Sequence, residues 1–361
     1  MEVGTPNANL NRHSEAPDAD SARNVKANDN IAPQLTQETK DASVQFEDTA
    51  VSKDAPLFIV LNSGSGKHSG EDVRHTIELT LSTAGRTFSL FEVGDPSRLK
   101  ATAEKVVQSA REQGGIVVAA GGDGTINSVA SATIGSGCPF GVIPLGTFNY
   151  FSRAHGIPSD VAAACQLLLV SPVIAVQVGM VNDRVFLANA SIGLYPALLE
   201  EREQAKRRFG RSRWVAFGAA LATVLRFRRR LHIEFEIHQC RTQMVTPTLF
   251  VGNNHLQLTR VGIPAREVEH GFRLMAVLLR PVSVWGMLAL VLRALLGRLG
   301  EAPEVISFGL ERLVVRSRFG RRRFQVATDG EVLHMKQPLT FRIAPHPLLL
   351  VRPSDAGEDP G

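Results

Sequence analysis

The chain has 361 residues, 44% hydrophobic and 21% charged, with a formal net charge of +5 at pH 7. It is long enough for two domains with cores of their own, and its composition is that of an ordinary globular protein. Three scattered cysteines (Cys138, Cys165, Cys240) without metal-ligand spacing exclude a disulfide framework and point to reduced thiols. The N-terminus lacks the apolar h-region of a secreted chain, and the longest apolar run, 282–299, is interrupted by Arg293 and short for a bilayer span. The charge is uneven. Residues 1–56 carry five Lys/Arg against ten Asp/Glu, so residues 57–361 are left with +10. A basic body of that kind suits nucleic acid, nucleotide or an anionic membrane surface about equally.

Residues 1–53 are rich in Asn, Asp, Ala, Ser and Gln without periodicity, which predicts a disordered leader. From Pro56 the texture changes. "LFIVLN" (57–62) is a buried-type strand ending in a Gly/Ser loop, followed by a helical stretch holding Ile77, Leu79 and Leu81 and a strand at 86–93. Residues 96–114 place Leu99, Ala103, Val106, Val107 and Ala110 on one helical face. Strand "GIVVAA", helix "TINSVASATIG" and strand "FGVIPLG" come next, then a helix at 159–170 with Ser159 as its expected N-cap. Strands alternating with helices predict a doubly wound, mainly parallel sheet, with ligands at the carboxyl ends of its strands. Beyond residue 173 the period turns to two. A hairpin is expected at Asn182-Asp183, Ile233, Phe235 and Ile237 alternate with polar neighbours, and further strands run to residue 343, apart from interruptions at 195–230 and 283–299.

The loops carry the chemistry. "NSGSGKH" (62–68) is not a Walker A loop, because Leu61 stands where its first Gly belongs and His68 replaces Ser/Thr; an ordinary turn explains it equally well. "GGDGT" is more specific. Gly121 and Gly122 permit close approach of a ligand, Asp123 can hold water, a hydroxyl or Mg²⁺, and Thr125 can cap the helix or reach a phosphate oxygen. The start of a helix is also a ready anion site, although a capped turn would use the same residues. "PLGTFNYFSR" (144–153) follows the next strand, so three such loops share one sheet edge. "TDGE" (328–331) is a turn with two carboxylates, otherwise typical of a hairpin.

From about Leu57 to Pro353 the order "NSGSGK", "GGDGTIN", "PLGTFNYFSR", "NASIGLYPALLEERE", "LFVGNN" and "DGE" resembles the diacylglycerol kinase catalytic-domain family, bacterial lipid kinases related to sphingosine and ceramide kinases. "GGDGT" alone would also suit NAD kinases and phosphofructokinase-like enzymes; the Gly-Thr-x-Asn-x-Phe block and the late "DGE" favour the lipid branch. The resemblance implies ATP and Mg²⁺ between an α/β nucleotide-binding domain (54–172) and a mostly antiparallel β-sandwich domain (173–353), with a disordered tail at 354–361. It implies a nucleotide site at Asn62, Gly121, Gly122, Asp123, Gly124, Thr125, Ile126, Asn127, Gly146, Thr147 and Asn149, with Asp123 as metal ligand. Glu331 would be the base on a lipid hydroxyl, with Asp329 and Asp123 near it. The chain departs from the family pattern at Ser128, often Glu there, and at Phe148 and Tyr150, which replace Gly and Asp. Glu269-His270-Gly271 replaces an Asp-Asp-Gly metal segment, and His270 is a poor Mg²⁺ ligand.

The stretch 202–231 is basic at both ends with Trp214, Phe217, Leu221, Val224 and Leu225 between. It suits either a core-packed helix or an interfacial segment on anionic lipid. The expectation is therefore an ATP-dependent lipid kinase, cytoplasmic and peripheral on the inner face of the membrane, acting on diacylglycerol or a related lipid. No nucleic-acid partner is expected, and the oligomeric state is left open, a homodimer included. A soluble-acceptor kinase of the NAD-kinase type and a non-catalytic nucleotide or lipid sensor are the alternatives.

Overall fold

Leu57–Leu61 (β1), Ile116–Gly121 (β3) and Phe140–Pro144 (β4) are runs of aliphatic, aromatic and small residues, buried along their whole length. Such runs form the middle of a parallel sheet covered on both faces. The computed structural model of the chain describes residues 54–62, 70–209, 231–237, 240–253, 273–318 and 322–354. All of them belong to one compact unit, Lys40–Gly361. With Phe88–Glu92 (β2) the three strands pair in parallel in the order β2-β1-β3-β4. Alternate side chains serve opposite faces. Phe58 and Val60 pack with Leu99–Glu112 (α2) and Asp123–Thr133 (α3), whereas Leu57, Ile59 and Leu61 pack with Gly70–Thr83 (α1) and Val161–Val170 (α5).

On α2 the expected face is Ala103, Val106, Val107 and Ala110, all buried, with Leu99 at its margin. On α1 only Val73, Ile77 and Leu81 turn inward; Leu79, two residues out of step with a 3.6-residue period, is exposed. The α5 N-cap is Asp160, not Ser159, because the Asp160 carboxylate accepts from Ala163 N at 2.8 Å.

The first sheet draws two more strands from residues beyond 172. Val173–Val176 (β5) and Leu348–Val351 (β11) extend it to six strands, β11 pairing in parallel with β4 and antiparallel with β5. The rest of the second half builds two six-stranded antiparallel sheets. One contains Gly179–Val181 (β6) and Arg184–Phe186 (β7), a hairpin turning at Asn182-Asp183 with Asn182 in the left-handed region (φ 52°). The other contains Asn189–Gly193 (β8), Arg323–Thr328 (β9) and Glu331–Lys336 (β10), with β9 between its two companions. Leu194–Phe209 (α6) follows β8, and Val284–Leu295 (α7) lies against it through Met287 and Leu290. The Gly/Ser loop 63–68, residues 210–230, Glu269-His270-Gly271 and the leader lie outside the described residues.

Candidate active site

The strand order reverses between β1 and β3, the place where open α/β sheets leave a crevice for ligand. The loops that leave β1, β3 and β4 there are stitched together. Asn62 N donates to Ala120 O at 2.9 Å, and Leu145 N donates to Gly121 O at 2.8 Å. The Asn62 side-chain amide donates to Thr125 Oγ1 at 3.0 Å, so the Thr125 hydroxyl faces β1 and keeps its own proton to donate. Gly121 has to be glycine, since a Cβ there would lie 2.6 Å from the Thr125 side chain. Gly122 is the N-cap of α3, in extended conformation and with no side chain over the helix start. Ile126 is fully buried in the core, so only its backbone belongs to the loop.

Asp123 ties the second loop to the third. Its Oδ2 accepts from Asn149 N at 3.0 Å and its Oδ1 from Tyr150 N at 2.9 Å, capping the short helix Tyr150–Ala154 (α4). Burial pushes the Asp123 carboxyl above the usual range, and these backbone N–H groups oppose that. Asn149 is left-handed (φ 48°) and buried, and its amide donates to Gly146 O at 3.0 Å. Gly146 is pressed onto the second loop: a Cβ there would stand 2.9 Å from Gly122 Cα and 2.7 Å from Asn149 Oδ1. Thr147 is exposed on the rim, and Phe148 and Tyr150 flank Asn149 with parallel, exposed rings 5.5 Å apart.

The "TDGE" turn reaches the same helix from the other sheets. Asp329 and Gly330 both have positive φ (47° and 89°), as a two-residue hairpin turn of this kind requires. The Asp329 carboxylate is fully engaged. Oδ1 accepts from Ala188 N (2.8 Å) and Asn189 N (2.9 Å), and Oδ2 accepts from Leu187 N (2.7 Å) and the Asn127 amide (2.5 Å). Burial pushes this carboxyl up as well, against the pull of those four donors. Asp329 is thereby a positioning group rather than one that meets a substrate. Glu331 is free to do so: it is exposed, and its Oε1 is 3.6 Å from where a Cβ on Gly124 would sit, beside the first turn of α3. Its Oε2 accepts from Arg184 Nη2 at 2.6 Å.

Arg184 is the residue that sequence reasoning did not find. The hairpin signal at Asn182-Asp183 places it at the start of β7, but nothing in the sequence says that β7 faces the helix carrying "GGDGT". Among the described residues no group of three His, Cys, Asp or Glu could hold a metal ion. Nor is any helix among them long and apolar enough to cross a membrane.

Residues 56–181 match the family model described as the diacylglycerol kinase catalytic domain. A "probable lipid kinase YegS-like" protein of Cronobacter sakazakii is 32% identical over 153 residues, which is 40% of this chain and 47% of that protein. A diacylglycerol kinase of Staphylococcus epidermidis is 32% identical over 137 residues, 37% of this chain and 42% of the relative. The chain thus spans under half the length of these curated relatives. A crystal structure of a diacylglycerol kinase from Bacillus anthracis aligns with a TM-score of 0.61 at 16% identity, over 84% of this chain and 98% of that one. A likeness at that identity shows the fold: an N-terminal α/β part with a parallel sheet, and an antiparallel β-rich remainder. The family match takes in the loops after β1, β3 and β4 and stops short of Arg184 and the "TDGE" turn.

Proposed function

We propose, from the match of residues 56–181 to the family model described as the diacylglycerol kinase catalytic domain, an ATP-dependent lipid kinase that phosphorylates a hydroxyl of diacylglycerol or a related lipid at a membrane surface. The observation that carries the reading is the meeting of a carboxylate, Glu331, with the glycine-lined start of α3. Gly124 is exposed, and a Cβ on it would meet nothing within 4 Å except that carboxylate. A phosphoryl group placed there would have helix N–H groups on one side and a proton acceptor on the other.

The residues fit a nucleotide better than a resident metal. With no three-ligand cluster among the described residues, Mg²⁺ would come with the nucleotide, held by phosphate oxygens and one or two carboxylates. Asp123 is the carboxylate in that loop, and charge neutralisation is what the ion would supply. Gly124 leaves room for phosphate against backbone, Gly146 packs the third loop onto Gly122, and Asn62 and Thr125 fix the loop from below. Glu331 takes the proton of the acceptor hydroxyl as its oxygen bonds to the γ-phosphorus and the bond to the β-phosphate oxygen breaks, leaving ADP. Asp329 keeps the turn that aims Glu331 at α3.

Access to a lipid would be peripheral. Support comes from α7, whose residues Trp285, Leu288 and Leu292, with the C-cap Leu296, are exposed on the side away from Met287 and Leu290. Residues 284–295 contain no acidic side chain, and residues 57–361 carry a net +10, as anionic lipid would select. The experiment is a labelled-ATP assay against a panel of lipids in mixed micelles, with NAD as the soluble acceptor. Transfer to a lipid that falls about 10²–10⁴-fold in Glu331→Gln, without weaker Mg-ATP binding, is the expected result. Transfer to NAD alone, or an unimpaired variant, overturns it.

A further inference from the structure

Arg184 and Glu331 form an ion pair at 2.6 Å, with side chains 43% and 56% exposed. The other oxygen of the same carboxylate lies beside Gly124 at the start of α3. A guanidinium therefore sits one carboxylate away from the place where a γ-phosphoryl group would rest. The Arg184 contact also occupies a carboxylate oxygen of the group assigned to take a proton. In the free protein this pair gives each charge a partner. It is a weak bond, because both groups are largely in water and screened. A phosphate offers the guanidinium more charge and a matching pair of acceptors.

We infer that Arg184 is a γ-phosphate ligand which Glu331 holds in reserve. When ATP enters, the guanidinium exchanges the carboxylate for γ-phosphate oxygens, and Glu331 is released toward the acceptor hydroxyl. Nucleotide binding and exposure of the base are then one event, which restrains the base until a phosphoryl donor is present. ADP, without the γ-phosphate, leaves the pair closed. The inference rests on the kinase reading and adds to it a residue outside the matched family segment.

The test compares ATP and ADP binding by calorimetry with Mg²⁺ present. Arg184→Ala is expected to weaken ATP by about tenfold to a hundredfold, the worth of a charge-assisted hydrogen bond, and to leave ADP within about twofold. Arg184→Lys recovers part of the loss through its point charge, and its unchanged melting temperature guards against misfolding as the cause. Glu331→Gln, which removes the competing charge, is expected to tighten ATP up to about fivefold, the worth of an exposed pair, with no such gain in the Arg184→Ala background. Equal losses for ATP and ADP, or none for ATP, overturn the inference and leave the kinase reading standing. Wild-type protein that binds neither nucleotide overturns both.

Discussion

Asn127 on α3 and Asp329 on the turn between β9 and β10 are hydrogen-bonded across 202 residues of sequence, Nδ2 to Oδ2 at 2.5 Å. The same carboxylate receives the backbone N–H groups of Leu187, Ala188 and Asn189. One side chain thus joins α3, the β7–β8 connection and the turn that presents Glu331. The distance between the two halves of the site is set by this carboxylate.

Asp329→Asn puts an NH₂ group where an acceptor faced two donors, so at least one donor is left unpaired in a buried place. A loss on the order of 3 kcal/mol is expected, since each unsatisfied buried group costs about 1–3 kcal/mol. Asn127→Ala removes one donor and leaves the carboxylate its backbone partners, with an expected loss of about 1 kcal/mol. Urea denaturation of the two variants checks the order. A loss in Asp329→Asn no larger than in Asn127→Ala is incompatible with the anchoring role.

Gly146 and Gly124 separate packing from access. Alanine at 146 drives a methyl group into Gly122 Cα and Asn149 Oδ1, at 2.9 and 2.7 Å, so the second and third loops must part. Gly146→Ala should weaken Mg-ATP about tenfold or more, because the binding loops then have to be re-formed at the cost of ligand affinity. Alanine at 124 meets only Glu331 Oε1 at 3.6 Å, so the fold tolerates it while the methyl group stands in the approach to α3. Its melting temperature should match wild type. Undiminished nucleotide affinity in both variants would remove these loops from the site.

The row on α7 gives a membrane test that does not touch the cleft. Trp285 is 80% exposed and Leu292 58%, so replacing them with Ser and Gln costs little folding free energy. Co-sedimentation of the double variant with anionic vesicles at low salt should fall severalfold, since each large apolar side chain buried at an interface contributes about 1.5–3 kcal/mol. Undiminished sedimentation would take α7 out of the docking surface.

Much of this architecture is legible in the sequence, for local reasons. Apolar runs such as 57–61 and 116–121 are too short for a buried helix and suit a sheet covered on both faces, and a Gly-rich loop at each run's end suits its carboxyl edge. The Asn182-Asp183 hairpin declares itself by composition. What stays hidden depends on closure over long distances. Leu348–Val351 is an apolar run like the others, and only the assembled chain decides that it pairs with β4 rather than with an antiparallel sheet. Ser159 and Asp160 are both good N-caps, and a one-residue difference in where the helix begins selects Asp160. Asp329 and Glu331 could be picked from "TDGE". Their division of labour, one saturated by four donors and the other facing Arg184, follows from the β7–β8 connection, which carries no signal of its own.

His155 lies edge-on to Phe151, ring centroids 4.6 Å apart. Burial, helped by the Arg352 charge, holds its imidazole down to about 3. An unfolded chain takes up that proton near pH 6.5, while the native protein refuses it until far lower. The group's stabilising contribution is therefore complete above about pH 6.5 and is lost as pH falls from there toward 3, at up to about 1.4 kcal/mol per pH unit. His155→Leu removes the titration and keeps an apolar contact for Phe151. Its stability at pH 7 is lower or equal, but its decline between pH 6.5 and 4.5 should be shallower than that of wild type by nearly that slope. Urea unfolding at a series of pH values measures both curves; parallel curves would mean that His155 is protonated in the native state and that its burial carries no pH dependence.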